Sequence, residues 1–428
     1  MVKILNNSRL RRRLVLLGAW LIGFTTTNAQ QELTLTLESC YELAKANYPL
    51  IRQQGLIDLS AHYALSNAAK GKLPRLSLAG QASYQSDVPQ IPLNLPNLKP
   101  LDKDQYRLYA DIAQPLNNLW TVNYQQELIR ANTLVEEQQL AVDLYQLKER
   151  IHQLYFGILL QDAQLKLTAI LMQDILLGIA RNKVAIANGV LLRSSADVLL
   201  AESLSMEQRL TEQRASRKAY VAMLALFINQ DLNENTIFQE PKSTQLSTLI
   251  KRPELQLFEL QMQSYTHQRR LLELQNLPQL HLFLQGGYGR PGLNMLDNSF
   301  NLFYTTGLRL NWNISNLYTA KQDKQLLGIN QKALRIQQET FSFNTEIKLQ
   351  EQRQELSKLE ELILGDAAII QLREGVVSRA RTALEYGSIT EVEYLQNVHA
   401  ADQARMNNAW HYIQLLRAQQ LISNTVGQ

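Results

Sequence analysis

The chain reads Leu73-Pro74-Arg75-Leu76-Ser77-Leu78 and, about 200 residues later, Leu277-Pro278-Gln279-Leu280-His281-Leu282. A second proline precedes each copy by 25 residues, at Pro49 and at Pro253. A tyrosine follows each Leu-Pro proline by ten residues. Self-similarity at a fixed offset over such a length indicates a tandem duplication.

The correspondence between the two halves continues beyond these hexapeptides. Gln114–Trp120 parallels Trp312–Tyr318, and Asn188-Gly189 parallels Tyr386-Gly387. Each half therefore predicts the same order of elements: helix, strand, loop, strand, long helix, tight turn and long helix.

The segment after each Leu-Pro pair alternates between apolar and polar residues, which indicates a β-strand. Partner strands are predicted at Tyr106–Gln114 and Tyr304–Trp312. Each strand has about nine residues, a length that crosses a bilayer as a tilted strand. Alternation alone fits a soluble antiparallel sheet with one polar face equally well. Aromatic residues lie near the strand ends, as in a membrane-interface girdle: Tyr84, Trp120, Tyr288, Trp312 and Tyr318.

Long helices are predicted because residues 116–240 and 292–428 contain no proline, which costs roughly 3 kcal/mol inside a helix. Residues 121–186 as one helix would measure about 100 Å, too long for the core of a compact domain. Apolar residues at 4-3 spacing indicate coiled-coil packing. In the first half they are Leu140, Leu144, Leu147, Ile151, Leu154, Ile158, Leu165, Met172, Ile175, Ile179 and Ile186. In the second half they are Leu349, Leu356, Leu359, Ile363, Ile370, Val377 and Leu384, with Asp366 and Arg373 interrupting.

The formal charge of +4 comes from the first residues of the chain. Five of the 43 basic residues and none of the 39 acidic residues precede residue 30, which leaves 38 basic against 39 acidic side chains, or −1. A cationic start, the apolar run Leu14–Phe24 and a small-residue site at Ala29 predict a signal peptide over residues 1–29. A short N-terminal membrane anchor is the alternative. The single cysteine, Cys40, excludes an internal disulfide and is expected to pack inside a helix.

The sequence contains no pattern that predicts catalysis or metal binding. The six histidines lack ligand spacing, and no G-x-S-x-G, P-loop or Cys-x-x-Cys motif occurs. Gly287–Gly292 matches the letters of a dinucleotide motif, but Pro291 argues against the helix that such a site needs. This stretch is expected to be an extracellular loop between strands. The chain is therefore not expected to be an enzyme or to bind a cofactor.

Four strands per chain raise a problem of closure. The smallest single-chain membrane barrels use about eight strands, and an open strand edge cannot be left in lipid. Several copies must then share one barrel. Three copies would supply twelve strands above a tube of twelve long helices.

With these features together, the chain resembles the TolC-type outer-membrane efflux protein family. Several segments carry the resemblance in their order and their duplication, over essentially the whole mature chain. They are Leu35-Thr36-Leu37-Glu38, Ala44, Asn47-Tyr48-Pro49, the two Leu-Pro-x-Leu-x-Leu entries, Arg252-Pro253-Glu254-Leu255, Gly189 with Asp197-Val198-Leu199, Gly387 with Glu393-Tyr394-Leu395, and Asn424-Thr425-Val426-Gly427.

The resemblance implies an α+β membrane protein of the Gram-negative outer membrane with a large periplasmic portion. Its four transmembrane strands would join a trimeric 12-stranded β-barrel that continues as a periplasmic α-helical coiled-coil barrel. Such a homotrimer is a passive channel-tunnel for efflux or type I secretion. Its partners would be outer-membrane lipid, a periplasmic adaptor (membrane fusion) protein and an inner-membrane pump; no nucleic acid is expected.

The resemblance also assigns two groups of residues. The adaptor-contacting tips would be Asn188, Gly189 and Val190 with Tyr386, Gly387 and Ser388, although a helix cap with no partner explains these glycines equally well. The periplasmic entrance ring would comprise Asp197, Glu393 and Gln396, the last standing where some relatives have another acid. Converging carboxylates would attract cations. Simple solvent exposure on a helix is the alternative for both acids.

A second function from another class stays open: an exported coiled-coil scaffold or adaptor-like binding protein with a soluble sheet. The predicted organisation begins with the leader at 1–29, followed by entry helices at 30–75, a β-hairpin at 76–120, a long helical hairpin at 121–228 with its tip near 187–197 and a linker at 229–252. The second repeat then has an entry helix at 253–278, a β-hairpin at 279–318 and a long helical hairpin at 319–428 with its tip near 385–393.

Overall fold

The structure is a computed structural model that describes residues 34–89, 101–189, 191–242 and 249–427. The expected leader at 1–29, the tip residue Val190 and residues 90–100 of the expected β-hairpin at 76–120 lie outside the described residues.

The described part of the first half contains four strands and five α-helices. They are β1 Thr34–Leu35, α1 Leu37–Asn47, α2 Gln53–Lys70, β2 Arg75–Tyr84, β3 Asp104–Pro115, α3 Asn118–Tyr145, α4 Leu147–Ala187, α5 Arg193–Ile228 and β4 Ile237–Phe238. A 3-10 turn, Pro49–Arg52, joins α1 to α2. The second half contains α6 Pro253–Gln275, β5 Gln279–Arg290, β6 Asn301–Asn311, α7 Asn316–Glu385 and α8 Glu391–Val426.

The internal duplication is visible in the lengths of the helices. Helix α7 has 70 residues, and the stretch from Asn118 to Ala187, which contains α3, Gln146 and α4, is also 70 residues long. Helices α5 and α8 each have 36 residues. The prediction of one unbroken helix over 121–186 is wrong in one respect, because a turn at Gln146 divides it. The second copy has no such turn and runs about 105 Å at 1.5 Å per residue.

Four of the strands form one antiparallel sheet in the order β2-β3-β5-β6. The two hairpins meet where β3 pairs with β5, from Tyr106 opposite Arg290 to Pro115 opposite His281. The strand predictions are confirmed to within a few residues. The expectation of a loop at Gly287–Gly292 is wrong for Gly287–Arg290, which belong to β5. Glycine suits this strand because a Cβ at Gly287 would lie 2.5 Å from the Leu108 carbonyl oxygen of β3.

Below the sheet, the helices lie side by side in the same order as the strands. Helix α3 packs between α2 and α6, and α6 packs on α7. Further from the sheet, α4 pairs with α5, α7 pairs with α8, and α4 contacts α8. The chain is therefore a wall with a sheet at one end and two helix-turn-helix tips at the other.

The predicted 4-3 seams are largely the packed faces of these helices. Ile151, Leu154 and Ile158 are buried in the largest core cluster, together with Cys40 of α1 and Leu224 of α5. In the second half, Leu349 and Leu359 are buried. Asp366, which interrupts that seam, is also buried and lies 2.6 Å from His411 Nδ1 on α8. A polar pair thus replaces one apolar layer between α7 and α8.

Distant segments of the sequence meet midway along the wall. The short strands β1 and β4 pair in parallel, and the Tyr155 hydroxyl lies 2.9 Å from the Leu35 carbonyl oxygen and 2.7 Å from that of Gln239. The Asn47 side chain donates to the Ile228 carbonyl at the end of α5. We call this region the equatorial junction.

The second half closes on the same region through its own motifs. Arg252 forms an ion pair with Glu254 and lies over the ring of Tyr145 at 4.9 Å. The Tyr145 hydroxyl donates to the Asn424 carbonyl over 2.7 Å. Segments Arg252–Leu255 and Asn424–Gly427, which lie about 170 residues apart in sequence, are therefore parts of one contact.

One described helical stretch, Asn118–Ala187, is long enough and apolar enough by composition to cross a membrane. In the fold, this stretch is α3 and α4, which pack along α2, α5, α6 and α8. Its apolar residues thus belong to the helical wall.

Gly427 gives the equatorial junction a test. It ends α8 in the left-handed conformation with φ of 93°, and a Cβ there would lie 2.4 Å from the Lys251 carbonyl oxygen. Because backbone strain and a backbone clash coincide, we expect Gly427→Ala to lower the free energy of unfolding by about 2 kcal/mol or more. Thermal unfolding followed by circular dichroism in detergent measures this loss.

The matched control for this change is Gly365→Ala in the interior of α7. A Cβ at Gly365 meets nothing within 4 Å, so alanine should be neutral or raise stability by up to about 1 kcal/mol. Equal melting temperatures for Gly427→Ala and wild type would refute the packing described here.

Candidate functional site

One face of the four-stranded sheet is apolar across its full width. The pairing register brings the alternating apolar residues of all four strands to the same side. Leu302 is 85% exposed and Leu76 is 75% exposed, so no described segment covers this face. It comprises Leu76, Leu78, Ala82, Tyr84, Tyr106, Leu108, Ala110, Ile112, Leu280, Leu282, Leu284, Tyr288, Leu302, Tyr304, Leu308 and Leu310.

The opposite face of the same sheet is mostly polar. It contains serine, glutamine, asparagine, threonine, arginine and aspartate side chains, with a few aromatic residues among them. We call it the polar sheet face. Its polar members are Arg75, Ser77, Gln81, Ser83, Gln105, Arg107, Asp111, Gln279, His281, Gln285, Asn301, Thr305, Arg309 and Asn311.

Both edges of this sheet are open within the described residues. Strand β2 pairs only with β3, and β6 pairs only with β5. The outer side of each edge strand therefore presents backbone donors and acceptors that no other described strand pairs with.

The same two sides of the wall carry apolar helix faces. On α2, Leu56 is 65% and Tyr63 is 59% exposed, seven residues apart. On α7, exposed apolar residues recur at heptad spacing: Leu326, Ile329, Ile336, Phe343 and Ile347. We call this row the α7 seam. A coiled coil buries apolar residues that recur at 3-4 spacing. Each outer helix therefore carries a face that a neighbouring helix could bury.

Exposed aromatic residues mark both ends of the sheet. Tyr84 and Tyr288 lie near the loop ends of β2 and β5. Trp312 follows β6, and Trp120 and Tyr318 lie in the first turns of α3 and α7. The apolar face thus lies between two aromatic levels, as the sequence predicted.

The two tips have nearly identical backbone geometry. Gly189 and Gly387 have φ of 72° and 68°, the left-handed region that favours glycine. At the second tip, Ser388 N donates to the Ala383 carbonyl oxygen and Gly387 N to that of Leu384, which is a Schellman motif. Asn188 and Tyr386 are the preceding C-cap residues, and Tyr386 is 82% exposed.

The predicted entrance residues lie just beyond these turns. Asp197 is exposed on α5, and Glu393 and Gln396 are exposed on α8. None of the hydrogen bonds and ion pairs between described residues joins Asp197 to the other two. The arrangement of a ring therefore depends on further copies of the chain and stays a prediction.

Glu393 has a second, local role that the sequence analysis missed. The Thr390 backbone amide and hydroxyl donate to Glu393 Oε2 over 2.8 and 3.1 Å, and Glu393 N donates to Thr390 Oγ1. This capping box begins α8. Hydrogen bonds from the Thr390 backbone and side chain lower the pKa of Glu393 below its usual value.

Polar contacts also join the two helical hairpins near the tips. Asn182 of α4 donates to Glu391 of α8 over 2.8 Å, and both side chains are buried. Arg181 faces Glu385 at 3.9 Å. A cavity of about 520 Å³ lies beside them, walled by both hairpins. Asn182 was detectable in principle, because it occupies a seam position between Ile179 and Ile186 where an apolar residue is the rule.

The comparisons bear on the whole of this arrangement. No protein-family model and no curated protein matches the chain. Among solved structures, the outer membrane protein VceC from Vibrio cholerae matches with a TM-score of 0.67 at 14% identity, over 91% of this chain and 96% of VceC. The chain has the fold of outer-membrane channels.

Two further channels support the same conclusion about fold. The Campylobacter jejuni CmeC outer membrane channel matches with a TM-score of 0.65 at 12% identity, over 91% of this chain and 85% of CmeC. The open state of the Neisseria gonorrhoeae MtrE outer membrane channel matches with a TM-score of 0.63 at 15% identity, over 91% of this chain and 88% of MtrE. This channel fold extends over both repeats.

The capping box at the second tip yields a prediction. Thr390→Ala removes one side of the box and should cost the first turn of α8 about 1 kcal/mol. Hydrogen exchange at neutral pH, read by mass spectrometry, should show lower protection at 391–394 and unchanged protection at the Gly189 tip. Unchanged protection at both tips would contradict the role given to Thr390.

The pH dependence follows from the lowered pKa of Glu393. The stabilisation is present above the usual pKa of a glutamate and is lost as pH falls through the lowered folded-state value. The difference in protection factor between wild type and Thr390→Ala should therefore narrow as pH drops below about 4.3.

Proposed function

We propose that this protein is an outer-membrane channel-tunnel that conducts solutes passively from the periplasm, or from an inner-membrane pump, to the exterior. The observation that carries the proposal is the sheet with one uncovered apolar face, one polar face and two open edges. These three properties together describe a segment of a membrane barrel wall.

The dimensions of the sheet suit a bilayer. The ten residues of β2 extend about 30 Å along the strand at about 3.3 Å per residue. A tilt of about 40° reduces this to about 23 Å, close to the apolar band of outer-membrane barrels. The exposed aromatic levels at either end match the two lipid-water interfaces.

Three copies of the chain are proposed to close the barrel. The order of the strands is repeated by the order of the helices, with β2 and α2 at one side and β6 and α7 at the other. One rotation can therefore pair β6 with β2 of the next copy and bring the α7 seam against its α2. Two copies would supply eight strands, a barrel that side chains fill, whereas three supply twelve and leave a lumen.

The long helices are proposed to extend into the periplasm. Each β-hairpin of the sheet is connected to a helix at its beginning and at its end. Helices α3, α4 and α7 therefore lead away from the membrane for about 100 Å. The tips at Gly189 and Gly387 then lie furthest from the outer membrane. A periplasmic adaptor coupled to an inner-membrane pump is the partner we propose for them. An entrance ring at Asp197 and Glu393 is proposed on the same geometry.

A soluble exported scaffold is disfavoured by the sheet. Exposed apolar patches on soluble monomers rarely exceed a few hundred Å², and here sixteen positions on four strands form one such face. A scaffold would need to cover it, and no described segment of this chain does. The neighbours of this fold are channels, so we also propose that the protein has no enzymatic activity.

Lipid exposure of the apolar face is tested by a pair of adjacent substitutions. Leu78→Lys places a charge on the apolar face and should cost about 2–4 kcal/mol if that position lies near the bilayer midplane. Ser77→Lys places the same charge on the polar sheet face and should be tolerated. Outer-membrane fractions washed with salt should retain wild type and Ser77→Lys, and should contain far less Leu78→Lys. Equal recovery of the two variants would argue against a membrane sheet.

Assembly and conduction are tested at the α7 seam. Wild-type protein in detergent should have the mass of a trimer and should form ion-conducting pores in planar bilayers. Ile336→Asp places a carboxylate in the α7 seam and should reduce both trimer yield and pore insertion at least about tenfold, equivalent to roughly 1.4 kcal/mol. Gln337→Asp, exposed but off the seam, is the control. A wild-type monomer that is stable without detergent would overturn the proposal.

A further inference from the structure

The polar sheet face carries an excess of positive charge. Arg75 of β2, Arg107 of β3 and Arg309 of β6 lie on it, and Asp111 of β3 is its one acidic residue. Three arginines and one aspartate leave a net charge of +2 per chain on this face. His281 also lies there, opposite Arg309.

These arginines have no acidic partner among the described residues. Arg75, Arg107 and Arg309 are exposed, and none of the ion pairs between described residues includes them. The contrast is Arg290, whose side chain belongs to the other face and forms ion pairs with both Asp102 and Asp104. Among the described residues, the arginine on the apolar side of this sheet therefore has two acidic partners, whereas the three arginines on the polar side form no ion pair with Asp111 or with another acid.

Local packing holds two of the arginine side chains to the polar sheet face. The Arg309 guanidinium lies 4.5 Å from the centre of the Phe283 ring on the neighbouring strand. The stem of Arg107 occupies space that Gly289 leaves free, since a Cβ there would lie 3.0 Å from Arg107 Cγ. A glycine at this register position thus accommodates the arginine beside it.

The arginines are distributed along the strands. Arg75 and Arg309 belong to the end nearest the helices, while Arg107 is opposite Gln81 and Gly289 towards the loop end. Asp111 lies between them, opposite Ser77 and Gln285. A solute moving along this face would meet cationic side chains at entry and again near exit.

We propose that the polar sheet face makes the barrel section of the channel selective for anions, so that negatively charged solutes are its favoured cargo at the exit. This inference rests on the proposed function, because it requires the polar sheet face to line a lumen. Three copies would then contribute nine guanidinium groups against three carboxylates. Low-dielectric walls around water focus such a field and raise the local concentration of counter-ions.

The net charge that lines the barrel would be opposite in sign to that at the tips. The predicted entrance residues Asp197 and Glu393 are acidic and favour cations, whereas the barrel favours anions. Absolute selectivity of the whole pore therefore combines two sections. The contribution of the barrel is measured by changing its charges alone.

The experiment is the reversal potential of single pores in a planar bilayer under a KCl gradient. Removing charge in Arg75→Gln/Arg107→Gln/Arg309→Gln should lower the ratio of chloride to potassium permeability by about twofold or more. Arg75→Lys/Arg107→Lys/Arg309→Lys keeps the charge and should keep the wild-type ratio. Asp111→Asn, on the same face, should shift the ratio in the opposite direction, towards chloride.

The outcomes separate the two proposals. If wild type forms no pores, the proposed function fails. If wild type conducts and the triple glutamine variant has the wild-type permeability ratio, the anion-selective barrel is wrong while the channel stands. If the triple variant does not assemble, three single variants decide: Arg75→Gln, Arg107→Gln and Asp111→Asn. Permeability ratios equal to that of wild type in all three would overturn the inference.

Discussion

The four-stranded sheet must pair its backbone groups and bury its apolar side chains at the same time. The rest of this structure depends on that constraint. In water, the apolar face of β2, β3, β5 and β6 would stay exposed, at roughly 25 cal/mol for each Å². In lipid, the outer edges of β2 and β6 would leave backbone groups without hydrogen bonds, at several kcal/mol for each group. A sheet of this kind is stable where copies join edge to edge inside a bilayer. Under the proposed function, the fold of a single chain is one part of a larger closed wall.

The outer helices of the wall meet the same constraint as the edge strands, because each carries an exposed apolar face. Helices α2, α3, α6 and α7 repeat the order of the strands above them, so the side of the chain that needs a strand also presents an apolar helix. Leu56 and Tyr63 on α2 and the α7 seam have the spacing of coiled-coil faces. Because strands and helices are joined directly, one rotation in the proposed trimer would pair the open strand edges and the exposed apolar helix faces together.

At the equatorial junction, the two repeats hold each other. Tyr155 reaches the backbone of β1 and of the segment after β4, Asn47 caps α5, and the Arg252 and Gly427 segments close on one another. Several residues on which the family resemblance rests are thus structural. They keep two long hairpins in a fixed relation, which the pairing of β3 with β5 requires. Near the tips, a buried hydrogen bond between Asn182 and Glu391 joins the hairpins beside the apolar cluster that includes Ile179 and Leu395.

The sequence by itself determined the duplication, the strands and their apolar side, the long helices and the glycines at the tips, because each of these depends on local spacing or on a single residue's conformational freedom. Its errors were local too: the turn at Gln146 interrupts a pattern that reads as continuous, and Gly287–Arg290 form a strand whose glycines make room for neighbouring side chains. Only the tertiary structure decided which segments meet. The pairing of β3 with β5, the meeting of Arg252 with Asn424, the burial of Asp366 beside His411 and the role of Glu393 as a cap all depend on contacts between residues brought together by folding, and hydrophobic spacing along one helix carries no information about the partner that lies across from it.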